Sequence, residues 1–442
     1  MDHKESPQDL IKPIIKLFFS GQTQEALDAV EVLIKNYPNE SLLFNINGAC
    51  YASLGQFDAA VKDYEKAIAI KPNYSKAHFN LGCTLQELGQ LDASAKSFEN
   101  ALVIEPDYAE AHNNLGIVLK DLRQLDAAVK SFKKAITIKP DYVEAHYSLG
   151  TTFQELGQLD NAVKSYKKVV NIEPEFSEMH NNLGVILNKL NQKDAALKSL
   201  ETAVAIKPDF AEAHNNLGNV LEELDQYDTA LKSYEKAITI KPDYAEAHYN
   251  LGNTLRELGQ LEAAIKSYEK VIAIKPDYAE VHYNLGNTLR ELGQPDEAVK
   301  SYEKAISIKV DFADAHNNLG VCFKKLGQLD EAVKCYEKAI SIEVGFANTH
   351  NNLGVALQQL GQQDKAIKCY EKALAIKLDY DEAHNNLGIV YRQLGQINDS
   401  INQFEKALAI KPDYAEAHNN LGVALQQLGQ QDKAIKCYEK AL

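Results

Sequence analysis

The stretch from Ala245 to Tyr278 reads AEAHYNLGNTLRELGQLEAAIKSYEKVIAIKPDY. Apolar side chains at Ala247, Leu251, Leu255 and Leu258 recur at helical spacing and share one face, and a second stripe follows at Ala264, Ile265, Tyr268, Val271 and Ile272. Between the stripes Gly259 supplies the left-handed backbone that closes one helix. Glu262 opens the next where most related stretches carry Asp, as at Asp92, Asp126 and Asp330. Pro276 cannot sit in a helix interior, and Asp277 with Glu280 three residues on has the form of a cap for the following helix. The stretch is therefore predicted to be two antiparallel helices joined to the next pair by a tight turn. Gly252 and Ala264 let the pair approach closely, and the Tyr268 ring is expected to fill the gap to the adjacent hairpin.

Outward from this stretch the pattern repeats. A glycine stands at Gly48, Gly82, Gly116, Gly150, Gly184, Gly218, Gly252, Gly286, Gly320, Gly354, Gly388 and Gly422, always 34 residues apart and with no insertion. Counted from seven residues before each glycine, units begin at Ser41, Ser75, Ala109 and so on to Ala415. The last stops six residues short, so the end at Leu442 has the form of a cut. Residues 1–40 read as a tail and a weaker copy: Gly21, Ala26, Val30 and Pro38 hold their places, but Ile14 replaces the glycine. Leu17, Phe18 and Phe19 there are expected to seal the core, the alternative being an end that meets a partner. The fold class is all-α, about 13 helix-turn-helix repeats, twelve of them in phase over residues 41–442. A single hairpin cannot bury both stripes, so stacking supplies the stability.

Composition agrees. Of 442 residues, 45% are hydrophobic and 25% charged, which gives ample core and excludes disorder. A net charge of -15 argues against nucleic acid, whose binding needs clustered Lys and Arg. No window approaches the roughly 20 apolar residues of a membrane span, and the start Met1-Asp2-His3-Lys4-Glu5 has no leader pattern, so a cytoplasmic location is expected. The cysteines at Cys50, Cys83, Cys322, Cys335, Cys369 and Cys437 form no CxxC pair; the last three share a position that is serine in most other units, and reduced structural thiols are expected.

In the unit that starts at 279, His282, Leu285, Gly286, Leu289, Ala298, Tyr302 and Ala305 carry a resemblance to the tetratricopeptide repeat family, which extends over essentially the whole chain. Val310, Val344 and Leu378 depart from it where the family has Pro, which puts the sharpness of three turns in question. The resemblance implies a right-handed superhelical solenoid whose first helices line the inside.

Eleven of the twelve histidines occupy one repeat position, from His78 and His112 through His384 and His418. Such positions lie on neighbouring helices roughly 8–10 Å apart, too far to share a zinc ion whose ligands sit about 2 Å from it, so no metal is expected. The rings read as half-buried occupants of the slot the family gives to Trp or Tyr. No GxGxxG after a strand, P-loop, HExxH or GxSxG occurs, so neither a cofactor nor catalysis is expected within this chain. The recurrent Lys and Glu of the second helices, as in Lys300, Glu303 and Lys304, read as a solvated outer face.

One column stands out: Asn80, Asn114, Asn182, Asn216, Asn250, Asn284, Asn318, Asn352, Asn386 and Asn420, interrupted once by Ser148. In the implied fold these amides form an inner ladder, and an amide with one acceptor and two donors can grip the C=O and N–H of an extended peptide. The same column can instead tie one helix to its neighbour. Beside it stand Phe79, Tyr147, Tyr249 and Tyr283, rings that add contact area. The ladder resembles that of protein O-linked N-acetylglucosamine transferases, in which such a row holds the polypeptide substrate. The basic clamp of chaperone-binding members is missing, because the corresponding position is usually acidic: Glu110, Glu144, Glu178, Glu212, Glu246, Glu280.

The leading expectation is a scaffold that binds proteins or extended peptides along its concave face. The alternatives are the substrate arm of a glycosyltransferase whose catalytic part follows Leu442, and self-assembly. The last is raised by the identity of His350–Leu374 with His418–Leu442 and by the apolar stripe of the final hairpin, including Ile435 and Tyr438.

Overall fold

The computed structural model describes residues 7–442. Among them twenty-six helices follow one another from Pro7–Phe19 to Gln431–Ala441, with no strand, and on either side of residues 224 and 225 successive helices pair into antiparallel hairpins. The array forms two compact units, one ending at Leu224 and one starting at Asp225. Helix Ala245–Glu257 and helix Leu261–Ile274 are the two stripes of the quoted stretch, and Gly259 between them has φ +72°.

Three units lack that glycine, and Arg123, Asn191 and Asp225 take the same left-handed conformation at φ 61°, 57° and 58°. An L side chain there costs about 1–2 kcal/mol. Arg123 recovers little of it: its ion pair to Glu155, at 3.2 Å, is exposed on the arginine side, and Lys120 holds the same carboxylate at 3.1 Å. Arg123→Gly is therefore expected to stabilise the first unit by about 0.5–1 kcal/mol, read as a rise in its urea midpoint. A fall would show that the turn does not strain this residue.

The helix starts differ from the expected caps. The residue ahead of helix Ala279–Glu291 is Tyr278, and that ahead of Leu261–Ile274 is Gln260, neither with a side-chain cap bond. Asp277 lies outside the cap and Glu262 lies within the first turn, where a carboxylate favours the helix dipole without capping it. The three turns without proline keep the bond that closes the helix, Lys309, Glu343 and Lys377 donating to Ala305, Ala339 and Ala373 at 2.9 Å in each case, but Phe312, Phe346 and Tyr380 lack the second turn bond that most proline turns carry, as Tyr142 N–H does to the Lys139 carbonyl at 3.1 Å. Val310, Val344 and Leu378 are 60%, 72% and 81% exposed, so the proline these turns lack touches little.

Packing within each hairpin adds a second contact to the one expected for Tyr268. Its ring lies against Gly252 of its own hairpin, where an added Cβ would stand 2.8 Å from Cε1, and its hydroxyl donates to Asn253 Oδ1 at 2.8 Å. The ring also joins the core that continues to Leu285 and Leu289 of the next hairpin. The same glycine and ring meet at Gly286 and Tyr302, Gly320 and Tyr336, and Gly388 and Phe404. The first hairpin reverses the sizes: Ile14 stands in the glycine's place and Val30 in the ring's, both buried in one cluster. Leu17 and Phe18 pack against that cluster, as a seal should, while Phe19 is 82% exposed.

Candidate peptide-binding face

Within each unit the first helices of successive hairpins touch one another, as Ala279–Glu291 touches both Ala245–Glu257 and Ala313–Lys325, whereas the second helices do not. Val143–Glu155, which carries Ser148, touches Ala109–Asp121 but not Ser177–Lys189. The first helices of each unit thus form a closely spaced face, and part of the Asn column runs along each.

The recurrent histidine sets the register of that face. Nε2 of His146, His248, His282 and His418 lies 2.8, 3.0, 2.9 and 2.8 Å from the carbonyl oxygen of Pro140, Pro242, Pro276 and Pro412. A carbonyl only accepts, so Nε2 carries the proton, and the ring pins each first helix to the turn before it. His316 makes the same bond to the Val310 carbonyl at 3.3 Å, so one turn keeps it without proline, whereas His384, after Leu378, turns Nδ1 to Gln403 Oε1 at 2.7 Å. This role was not read from the sequence, although the fixed six-residue spacing from the turn was its signal.

The ladder amides reach backwards. Nδ2 of Asn80, Asn216, Asn352, Asn386 and Asn420 donates to Oδ1 of Asn45, Asn181, Asn317, Asn351 and Asn385, at 2.9–3.2 Å, each acceptor lying one hairpin earlier. Asn284 and Asn318 donate to two acceptors each: Tyr249 Oη and Asn253 Oδ1, and Tyr283 Oη and Asn287 Oδ1. Asn114 reaches Cys83 Sγ at 3.5 Å, a weaker contact, and Asn250 also has a partner. Asn351 and Asn385 in turn donate to Glu382 and Glu416 of the following first helices. A polar seam therefore ties neighbouring first helices.

Capacity is left over at particular positions. Each Nδ2 carries two hydrogens, and at Asn80, Asn216, Asn352 and Asn386 one is used while Oδ1 accepts no bond among the described residues. These four are half-buried. Asn284 retains only its acceptor, and Oδ1 of Asn114, Asn182 and Asn318 already accepts from Asn113, Asn181 and Asn317. Asn420 is buried. Of the rings beside the column, Tyr147 is exposed at 39%, while Tyr249 and Tyr283 stack on Tyr278 and Phe312 of the next turns at 5.6 and 4.8 Å.

The turns carry a second regularity. Lys71, Lys139, Lys241, Lys377 and Lys411 hold Nζ over Tyr74, Tyr142, Tyr244, Tyr380 and Tyr414 at 4.6–5.2 Å, and Lys207 and Lys309 lie likewise over Phe210 and Phe312. The six cysteines are free. Burial pushes the Cys335 thiol up to about 11, which keeps it protonated and inert near neutrality.

Residues 48–89, 84–123, 119–157, 152–191, 186–225 and 219–255 each match the TPR repeat family, and residues 243–442 match the cilia and flagella-associated protein 70 C-terminal domain. The chain belongs to the tetratricopeptide repeat family. Such an array is a protein-interaction scaffold and typically non-catalytic, and it implies protein or peptide partners. No curated protein matches the chain. Solved structures similar to it include MamA, at 28% identity over 38% of this chain and 92% of that one with a TM-score of 0.37. YrrB, described as a TPR protein with an unusual peptide-binding site, is 26% identical over 42% and 95%, with a TM-score of 0.38. The APC/C hetero-tetramer Cut9-Hcn1 contains a chain 15% identical over 95% and 97%, with a TM-score of 0.45. No described helix of the tetratricopeptide array is long and apolar enough to cross a membrane.

Proposed function

We propose that the first-helix face binds extended peptides or unfolded protein segments, with the Asn column gripping the peptide backbone. The observation that carries this reading is the unused half of the amides: one N–H and one Oδ1 at Asn80, Asn216, Asn352 and Asn386. First helices roughly 8–10 Å apart match about three residues of an extended chain at about 3.3 Å each, so successive amides meet every third peptide group. A grip on C=O and N–H is indifferent to side chains, which suits a scaffold with many ligands.

The test uses a fluorescein-labelled (Gly-Ser-Lys)5 peptide and anisotropy. Asn352→Ala together with Asn386→Ala is expected to weaken binding by about thirtyfold or more, from four lost hydrogen bonds, two at each amide, at about 0.5–1 kcal/mol each. Asn420→Ala, at a buried position, leaves binding unchanged and lowers only stability. Unchanged binding in the double variant, with stability alone reduced, would show that the column is only a seam.

A further inference from the structure

The Asn column and the acidic column beside it change together at the start of the array. Ile46 stands where the next hairpins carry Asn80 and Asn114, and Leu42 and Lys76 stand where later ones carry Glu110 and Glu144. The first-helix face thus begins apolar and basic before it becomes polar and acidic.

A cavity of about 350 Å³ opens at that change, among helices Pro7–Phe19, Ser41–Ser53 and Ser75–Glu87. Ile15, Phe18, Phe19, Leu42, Ile46 and Ala49 give it an apolar lining, and the Phe19 ring, 5.7 Å from that of Phe18, is left 82% exposed. Asn80 and Lys76 add polar groups. Asn80 spends one N–H on Asn45 Oδ1 at 3.0 Å and keeps the other N–H and its own Oδ1. The Lys76 side chain is exposed and has neither ion pair nor hydrogen bond among the described residues. A second ammonium, that of Lys71, lies 5.1 Å from the ring centre of Tyr74, which also lines the cavity. No carboxylate is among the described lining residues. Glu40 bears on the Tyr74 hydroxyl, but its carboxylate already accepts from the Leu42 N–H at 3.4 Å.

We propose that this cavity takes a large apolar side chain of an extended peptide that carries an acidic residue two positions away. Side chains two apart in an extended chain point to the same side, so the apolar group enters the cavity while the carboxylate meets Lys76 and the backbone between them lies on Asn80. An apolar anchor in a pocket with a polar rim is the arrangement that concentrates binding energy in protein contacts. The local charge selects an acidic partner here, although the protein as a whole carries -15. The inference rests on the reading that the first-helix face takes extended peptides, and adds side-chain selection to it.

The experiment compares three fluorescein-labelled peptides on the full chain, each with (Gly-Ser-Lys)2 on both sides of a centre that reads Glu-Gly-Phe-Gly-Glu, Gln-Gly-Phe-Gly-Gln or Glu-Gly-Gly-Gly-Glu. The first is expected to bind about tenfold tighter than the third, through burial of the ring, and about threefold tighter than the second, through Lys76. The second preference runs against the protein's net charge, so diffuse attraction cannot produce it. Lys76→Glu, which puts there the residue type of Glu110, is expected to reverse the order of the first two peptides. Ala49→Leu, which fills the cavity, is expected to remove most of the Phe preference. Binding of the Gln peptide as tight as that of the Glu peptide, or a Phe preference that survives Ala49→Leu, would overturn the pocket. Equal binding of all three, weakened by Asn352→Ala with Asn386→Ala, would overturn the pocket alone. No binding of any would overturn the peptide-binding reading with it.

Discussion

Tyr302→Ala is expected to lower the local opening free energy of the second unit by about 3–5 kcal/mol, while Tyr302→Phe lowers it by only about 1. The ring is fully buried against Gly286 and shares a core with Leu285, Leu289 and Leu319, so its removal leaves a cavity that rigid helices on both sides cannot close. The hydroxyl matters less, because its acceptor, Asn287 Oδ1, keeps a second donor in Asn318 Nδ2 at 2.9 Å. Repeat arrays gain stability from neighbouring pairs, so the loss is local, and hydrogen exchange across Ala279–Lys325 is the measurement that reads it. Equal costs for the two substitutions would mean that the hydroxyl network, not the ring, carries the packing.

The fold was legible because it is written many times. One glycine column, one proline column and two apolar stripes in constant phase leave no other architecture, and the helices Ala245–Glu257 and Leu261–Ile274 start and stop where Gly259 and Pro276 require. What the sequence could not tell is where a polar or aromatic group spends its bonds. Asn352 and Asn318 hold the same column position, yet one keeps a free acceptor and the other does not, because Asn317 donates to Asn318 Oδ1 whereas Asn351, at the matching place, donates to Glu382 instead. Asp277 had the form of a cap, but the turn places Tyr278 at that position. The lysine three residues before most turn aromatics, replaced by Glu105, Glu173 and Glu343 at three of them, was visible as a spacing. Its meaning, a cation over a ring, needed the turn's geometry.

The pairing of glycine with ring gives the second large effect. Gly286→Ile is expected to cost about 3 kcal/mol, since even a Cβ at Gly286 would lie 2.7 Å from Tyr302 Cε1 and the ring has no room to retreat. Tyr302→Val alone is expected to cost about 3 kcal/mol through the cavity it leaves. Made together they should cost well under the sum, with about 2–3 kcal/mol returned as coupling, because the branched side chain grows into the space the ring vacates. The chain already contains this solution: Ile14 and Val30 hold the equivalent places in the first hairpin, exposed by only 3% and 0%. Gly184 opposite Leu200 is an intermediate case, with an added Cβ 2.6 Å from Leu200 Cγ, so a smaller partner alone does not make room for a methyl group. A double-mutant cycle followed by hydrogen exchange decides the matter: additive losses would mean that the glycine is required by the backbone of helix Ala279–Glu291 itself, and compensation would mean that the family's small-and-large pair is a matter of shared volume.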